Sequence, residues 1–250
     1  MRKIGLVAGC SHSAGSEIDG EQDSQYNRDN SFGSLLCKKL GYDPINIAIN
    51  GATNSGISRS ILNWFQDQYD SETMEVFVSI GWTESSRLEV PALDRPADYK
   101  TGNPYIPWYD SAANSFYRIN FGWEGSTMYE KAMIPEYQKF MADNLLILET
   151  WAAKEVLLIE YYLKSLNIPY VMCSTMHMFQ PNEHFTNYTV KHIDQSRYYN
   201  LLTDQDQAFY WKYKNLGYNN DKAKYLHHSE IPHQLYADEL YNFVKENQNV

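Results

Sequence analysis

The chain has 250 residues, with 21 Lys and Arg against 31 Asp and Glu and a formal net charge of -10. Affinity for a phosphate backbone rests on clustered Lys and Arg; no such cluster occurs here, so nucleic acid is excluded as an expected partner. No apolar run approaches the roughly 20 residues needed to cross a bilayer, so the expectation is a soluble protein with no membrane partner.

The composition, 43% hydrophobic and 21% charged, is that of a globular chain, and the length suits one domain over 1–250. The 21 Tyr are concentrated in Tyr99 to Tyr137 and Tyr188 to Tyr225, without a strand or helix period. Such segments line a cleft or an interface, or pack as lids. Cys10, Cys37 and Cys173 form no C-x-x-C pair, which argues against a disulfide framework or zinc ribbon and for a reducing compartment. Met1-Arg2-Lys3 followed by Ile4 to Cys10 has the outline of a lipoprotein signal. Its apolar segment is too short for an h-region of about 7 to 15 residues, so no signal peptide is expected.

Four short apolar runs, Lys3 to Ala8, Ile45 to Ile49, Glu75 to Ile80 and Pro169 to Ser174, predict buried strands of a mostly parallel sheet. A helix over Ser31 to Leu40, capped by Asn30 and ended by Gly41, joins the first two. Apolar residues at 57, 61, 62, 64 and 65 predict a crossover helix over Ile57 to Tyr69. The stripe at 137, 141, 145, 148, 152, 156, 159 and 163 predicts a long helix from Pro135 to Leu166. A last helix starts near Pro232, with 236, 240, 243 and 244 on one face. The expected fold is therefore a three-layer α/β/α domain with a flavodoxin-like sheet, carrying aromatic-rich insertions at about 91–134 and 177–225.

In such a sheet the site lies where loops leave the carboxyl ends of the strands. After the first strand comes Gly9-Cys10-Ser11-His12-Ser13-Ala14-Gly15, a Gly-bounded turn that exposes Ser11 beside backbone N–H groups, as an acyl-transfer nucleophile requires. After the second comes Asn50-Gly51-Ala52-Thr53, where Gly51 permits close approach of an N–H to an oxyanion. After the third comes Gly81-Trp82-Thr83-Glu84-Ser85-Ser86-Arg87-Leu88-Glu89, with Thr83 as a side-chain donor and Arg87 with Glu89 as a candidate ion pair. Near the carboxyl terminus, His227-His228-Ser229-Glu230-Ile231-Pro232-His233 places histidines ahead of the last helix, where one can act as general base. No H-E-x-x-H pair or other ligand spacing is present, so neither a metal nor a cofactor is expected.

These segments, in this order, resemble the four blocks of the SGNH (GDSL-type) hydrolases. Gly9-Cys10-Ser11-x-x-x-Gly15 is similar to G-D-S-x-x-x-G with Cys10 for Asp. Asn50-Gly51 matches the second block, Gly81-Trp82-Thr83-Glu84 stands where the family has G-x-N-D, and 227–233 resembles H-P-S-x-x-G-H. The resemblance implies a serine esterase or deacylase with Ser11 as nucleophile and His227 rather than His233 as base. Its oxyanion donors would be the Ser11 and Gly51 N–H groups and the Thr83 hydroxyl, and its substrate a small-molecule or carbohydrate ester such as an O-acetyl sugar.

The family's orienting Asp, three residues before the His, is replaced by Lys224, which leaves Asp221 and Glu230 as candidate acids. The rival expectation is a non-catalytic binding or structural protein on the same scaffold, for example in a virus particle. Its aromatic insertions would then form a homo-oligomer or a larger assembly. The expected location is accordingly cytoplasmic or virion-associated.

Overall fold

Along β1 (Arg2–Gly9) side chains alternate, sending Ile4, Leu6 and Ala8 into one apolar cluster and Val7 into another on the opposite face. A strand that buries both faces belongs inside a covered sheet. In the computed structural model, which describes residues 1–91, 116–119, 128–176, 179, 189–201, 205–225 and 227–248, it is the second strand of five. These are β1, β2 (Asp43–Asn46), β3 (Met74–Trp82), β6 (Tyr170–Ser174) and β7 (Tyr198–Tyr199), all parallel in the order β2-β1-β3-β6-β7. The chain thus has the three-layer α/β/α fold with a flavodoxin-like sheet. A separate antiparallel ribbon pairs β4 (Leu88–Pro91) with β5 (Phe116–Ile119).

One face of the sheet is covered by α4 (Asn54–Gln68) and α5 (Met128–Ser165), through Ile57, Ile61 and Trp64 and through Val156, Ile159 and Leu163. The other is covered by α3 (Phe32–Lys39), α6 (Phe209–Asn215) and α7 (Glu230–Asn247), through Phe32, Leu36, Phe209, Tyr236 and Leu240. Gly5 lets α3 come close, because a Cβ there would lie 2.4 Å from Cys37 Cβ.

The regular part of β2 ends earlier than its apolar run, yet the ladder continues in space. Ile47 N–H donates to Val7 O (2.8 Å) and Ile49 N–H to Gly9 O (3.0 Å). Ser31, not Asn30, caps α3, since its hydroxyl accepts from the Ser34 N–H while Asn30 donates back to Tyr26 O at the end of α2 (Gln25–Asp29). Thr53 Oγ1 accepts from Gly56 N–H, so α4 begins at Asn54, ahead of its first apolar position.

The long helix starts before Pro135, which lies inside it. A proline in a helix gives up one hydrogen bond. Burial of Ile134, Tyr137 and Leu148 against Leu88, and the Tyr137 hydroxyl bond to Ser86 O, favour continuing the helix through it. The stretch 177–225, expected as an insertion, supplies β7 and α6 to the framework. Residues 92–115, 120–127, 177–178, 180–188 and 202–204 of the two expected insertions lie outside the described residues.

Candidate active site

At the carboxyl end of β1, Gly9 has φ 152°, and a Cβ there would lie 2.1 Å from Ser13 Oγ and 2.6 Å from Gly81 O. Glycine lets the chain turn directly into α1 (Ser11–Ala14), a single helical turn closed by Gly15 at φ 73°. Cys10 caps this turn without a side-chain bond and instead contacts Thr175 Oγ1 at the end of β6 (3.2 Å). Ser11 is the first residue of the turn, so its N–H has no intrahelical acceptor. The residue keeps 8% of its surface, and among the described residues its hydroxyl makes no hydrogen bond.

His227 stands in the loop before α7, and its Nδ1 lies 2.6 Å from Glu17 Oε2. Glu17 is buried on the loop that follows Ser11. It also accepts from the Lys224 N–H (2.7 Å) and the Tyr225 N–H (3.0 Å), so one carboxylate ties down the whole approach to His227. The backbone of Glu17 is left-handed, φ 65°. That is an uncommon state for a residue with a long side chain and costs on the order of 1–2 kcal/mol.

Burial opposes ionisation of Glu17, but bonds from His227 and from the Tyr225 and Lys224 amides outweigh it and hold the carboxyl below its ordinary range. Burial also depresses His227 below 6.5 despite the carboxylate beside it, leaving a neutral imidazole at pH 7. The His12 ring, next to Ser11 in sequence, lies 5.0 Å from the His227 ring centroid to centroid. No hydrogen bond joins Ser11 Oγ to His227; such contacts in unliganded sites are often long and tighten with substrate.

Neither expected acid reaches the imidazole. Asp221 is exposed, and Glu230 accepts from the Tyr26 hydroxyl (2.8 Å) and from Gln234 Nε2 (2.7 Å) at the start of α7. At position 224 only the backbone takes part. His233 faces the core, where its Nδ1 accepts from the Phe32 N–H (3.1 Å) and its ring stacks on Phe32. The candidate pair Arg87 and Glu89 is not formed. Glu89 pairs with Arg59 through both carboxylate oxygens, and Arg87 Nε donates to Glu84 (2.8 Å).

Gly51, at φ 72°, is exposed, and its loop is tied to the loop after β1 because Ser16 Oγ donates to Asn50 Oδ1 (2.6 Å). Thr83 is clamped through its backbone by the Asn54 side chain, and its own hydroxyl is sealed and without a partner. An unpaired buried hydroxyl costs about 1–3 kcal/mol. Thr83→Val is therefore expected to raise the urea unfolding midpoint. Activity should stay within about threefold, well short of the 10²–10³ loss that removing an oxyanion donor produces.

The signal for Glu17 was its place six residues after Ser11 as the first acid in the chain. Its partner is 210 positions away. Among the described residues no group of three or more His, Cys, Asp or Glu side chains is placed to hold a metal, and no helix is long and apolar enough to cross a membrane. A cavity of about 680 Å³ at the opposite end of the strands, lined by Lys3, Tyr42, Glu75, Tyr170 and Arg197 among others, contains none of the candidate residues.

A parallel sheet whose first loop carries a serine, with a histidine and carboxylate beside it, defines the class: a doubly wound α/β/α domain with its site at the carboxyl edge. No family model and no curated protein matches the chain. Among solved structures it is similar to a carbohydrate esterase whose active site displays divergent catalytic and non-catalytic binding functions (11% identity, TM-score 0.47). That likeness covers 99% of this chain and 66% of the other, so this chain spans just under two thirds of its length. It is also similar to the psychrotrophic esterase EstA of Pseudoalteromonas sp. (16% identity, TM-score 0.38, covering 98% and 97%). A third likeness is to a member of the lipolytic protein G-D-S-L family from Veillonella parvula DSM 2008 (11% identity, TM-score 0.30, covering 97% and 97%).

Proposed function

We propose that the chain is a serine ester hydrolase of the SGNH type, acting on a small acyl ester such as an O-acetyl group on a carbohydrate. The observation that carries this reading is the 2.6 Å contact of His227 Nδ1 with Glu17 Oε2, in the same corner as Ser11. A carboxylate on Nδ1 fixes the tautomer that leaves Nε2 free to accept a proton.

In this mechanism Ser11 Oγ attacks the acyl carbon while its proton passes to His227 Nε2. The carbonyl oxygen becomes an oxyanion held by the Ser11 and Gly51 N–H groups. Ionised Glu17 stabilises the imidazolium through Nδ1–H. Collapse of the tetrahedral intermediate breaks the ester C–O bond, and the alcohol leaves with the proton from Nε2. Water, deprotonated by His227, then releases the acid and frees Ser11. Thr83, sealed below the surface, is left out of the oxyanion hole.

The test is hydrolysis of p-nitrophenyl acetate, run with covalent labelling by a fluorophosphonate. The wild type is expected to turn over the ester and to be labelled at Ser11. Ser11→Ala is expected to abolish labelling and to lower kcat by about 10⁴ or more, and His227→Ala to lower kcat similarly. Hydrolysis that survives Ser11→Ala undiminished overturns the assignment. A wild-type protein that neither hydrolyses nor is labelled points instead to the non-catalytic scaffold.

A further inference from the structure

One charged side chain beside this site has more donors than the fold uses. Arg87 lies in the loop after β3, and only 11% of its side chain is exposed. Its Nε donates to Glu84 Oε1 (2.8 Å) and its Nη1 makes a long contact to Ala52 O (3.4 Å), the carbonyl next to Gly51. A guanidinium has five N–H groups in a planar fork. The remaining three meet no acceptor among the described residues, and neither Nη nitrogen is among the sealed, unpartnered atoms.

The loop that carries Arg87 is fastened from two sides. The Tyr137 hydroxyl donates to Ser86 O (2.7 Å), and Asn54 grips Thr83 and Glu84. The guanidinium is therefore held rather than swinging in solvent. Its charge also reaches the site, because after burial and the neighbouring side chains it contributes to lowering both His12 and His227. Glu84 engages the Nε edge only, so the outer Nη edge stays open to a second anion in the geometry that suits a carboxylate.

We propose that Arg87 selects the substrate: the ester this site accepts carries a carboxylate a few bonds from the scissile carbonyl, and Arg87 binds it. The proposal rests on the hydrolase reading for its reaction, but not for its binding step.

Two measurements test it. In the first, kcat/KM is compared for p-nitrophenyl acetate, the mono-p-nitrophenyl ester of succinic acid and 4-acetoxybenzoate, which place the carboxylate nowhere, on the acyl side and on the alcohol side. The wild type is expected to prefer one of the anionic esters about 10- to 100-fold, as a charge-assisted pair allows. That ratio should fall at least about tenfold in Arg87→Gln and less in Arg87→Lys, which keeps the charge without the fork. No preference in the wild type, or a ratio unchanged in Arg87→Gln, overturns the proposal.

In the second, succinamate and the neutral diamide of succinic acid are titrated calorimetrically into the wild type, Ser11→Ala and Arg87→Gln. Succinamate is expected to bind the first two and not the third, and the diamide to bind none tightly. Equal binding of both ligands, or binding that survives Arg87→Gln, overturns the anion site even if no ester is turned over. Succinamate binding without hydrolysis retains the anion site and sinks the hydrolase reading alone.

Discussion

Replacing Glu17 by Gln is expected to lower kcat for p-nitrophenyl acetate by about 10³–10⁴ while KM stays within about threefold, because an amide in place of the orienting carboxylate no longer enforces the productive tautomer. In the proposed mechanism the carboxylate has three roles: it accepts from His227 Nδ1–H, would stabilise the imidazolium formed in the transition state, and holds the Lys224 and Tyr225 amides. The first two act on the rate. The third acts on the fold, and the pH profile separates them.

In the wild type the acid limb of kcat/KM is expected below pH 6.5, because burial depresses His227. Glu17 opposes that depression, so Glu17→Gln moves the limb to still lower pH, whereas a purely structural loss leaves it in place. Glu17→Asp, which keeps the charge on a shorter arm, is expected to recover part of the activity. A Glu17→Gln enzyme with wild-type kcat removes Glu17 from the mechanism.

Acid is expected to unfold the domain steeply, starting near pH 6.5. His12, His227, His228 and His233 all have pKa values lowered in the folded chain, first by burial. Below 6.5 the unfolded chain therefore takes up protons that the folded chain refuses. Stability is fully present above the unfolded value and is lost as pH falls.

Each such proton contributes about 1.4 kcal/mol per pH unit, so the four together set a slope of up to roughly 5 kcal/mol per unit. Glu17, held below its ordinary range, adds a loss of the same sign at lower pH. Urea midpoints measured at pH 7.5, 6.5 and 5.5 should fall slightly between the first two and much more steeply to the third. A midpoint unchanged to pH 5 contradicts the buried, neutral state of these rings.

The apolar runs of the four expected strands and the stripes of the helices were legible because burial leaves a period in the sequence. The same period placed the long helix but not its start. Pro135 reads locally as a first-turn residue, and only the packing of Ile134 and Tyr137 on Leu88 keeps the helix going before it. The strand β7 and the helix α6 were missed because two strand residues and seven helical ones are too short to show a period.

For the site, the sequence by itself determined that Ser11 follows β1, that His227 stands in the loop before α7 while His233 runs into that helix, and that Gly51 lies on the loop ahead of α4. All of these follow from local order along the chain: what ends a strand and what precedes a helix. Only the tertiary structure decided which carboxylate lies against His227. Asp221 and Glu230 were the near candidates in sequence, but one is exposed and the other serves the first turn of α7. Glu17 reaches His227 from 210 residues away because Gly9 and Gly15 turn the loop after β1 sharply beside the last loop. The partner of Arg87 and the sealing of the Thr83 hydroxyl belong to the same category. Contacts between loops at one sheet edge depend on how separate crossovers converge, and nothing in the spacing of residues along the chain records that convergence.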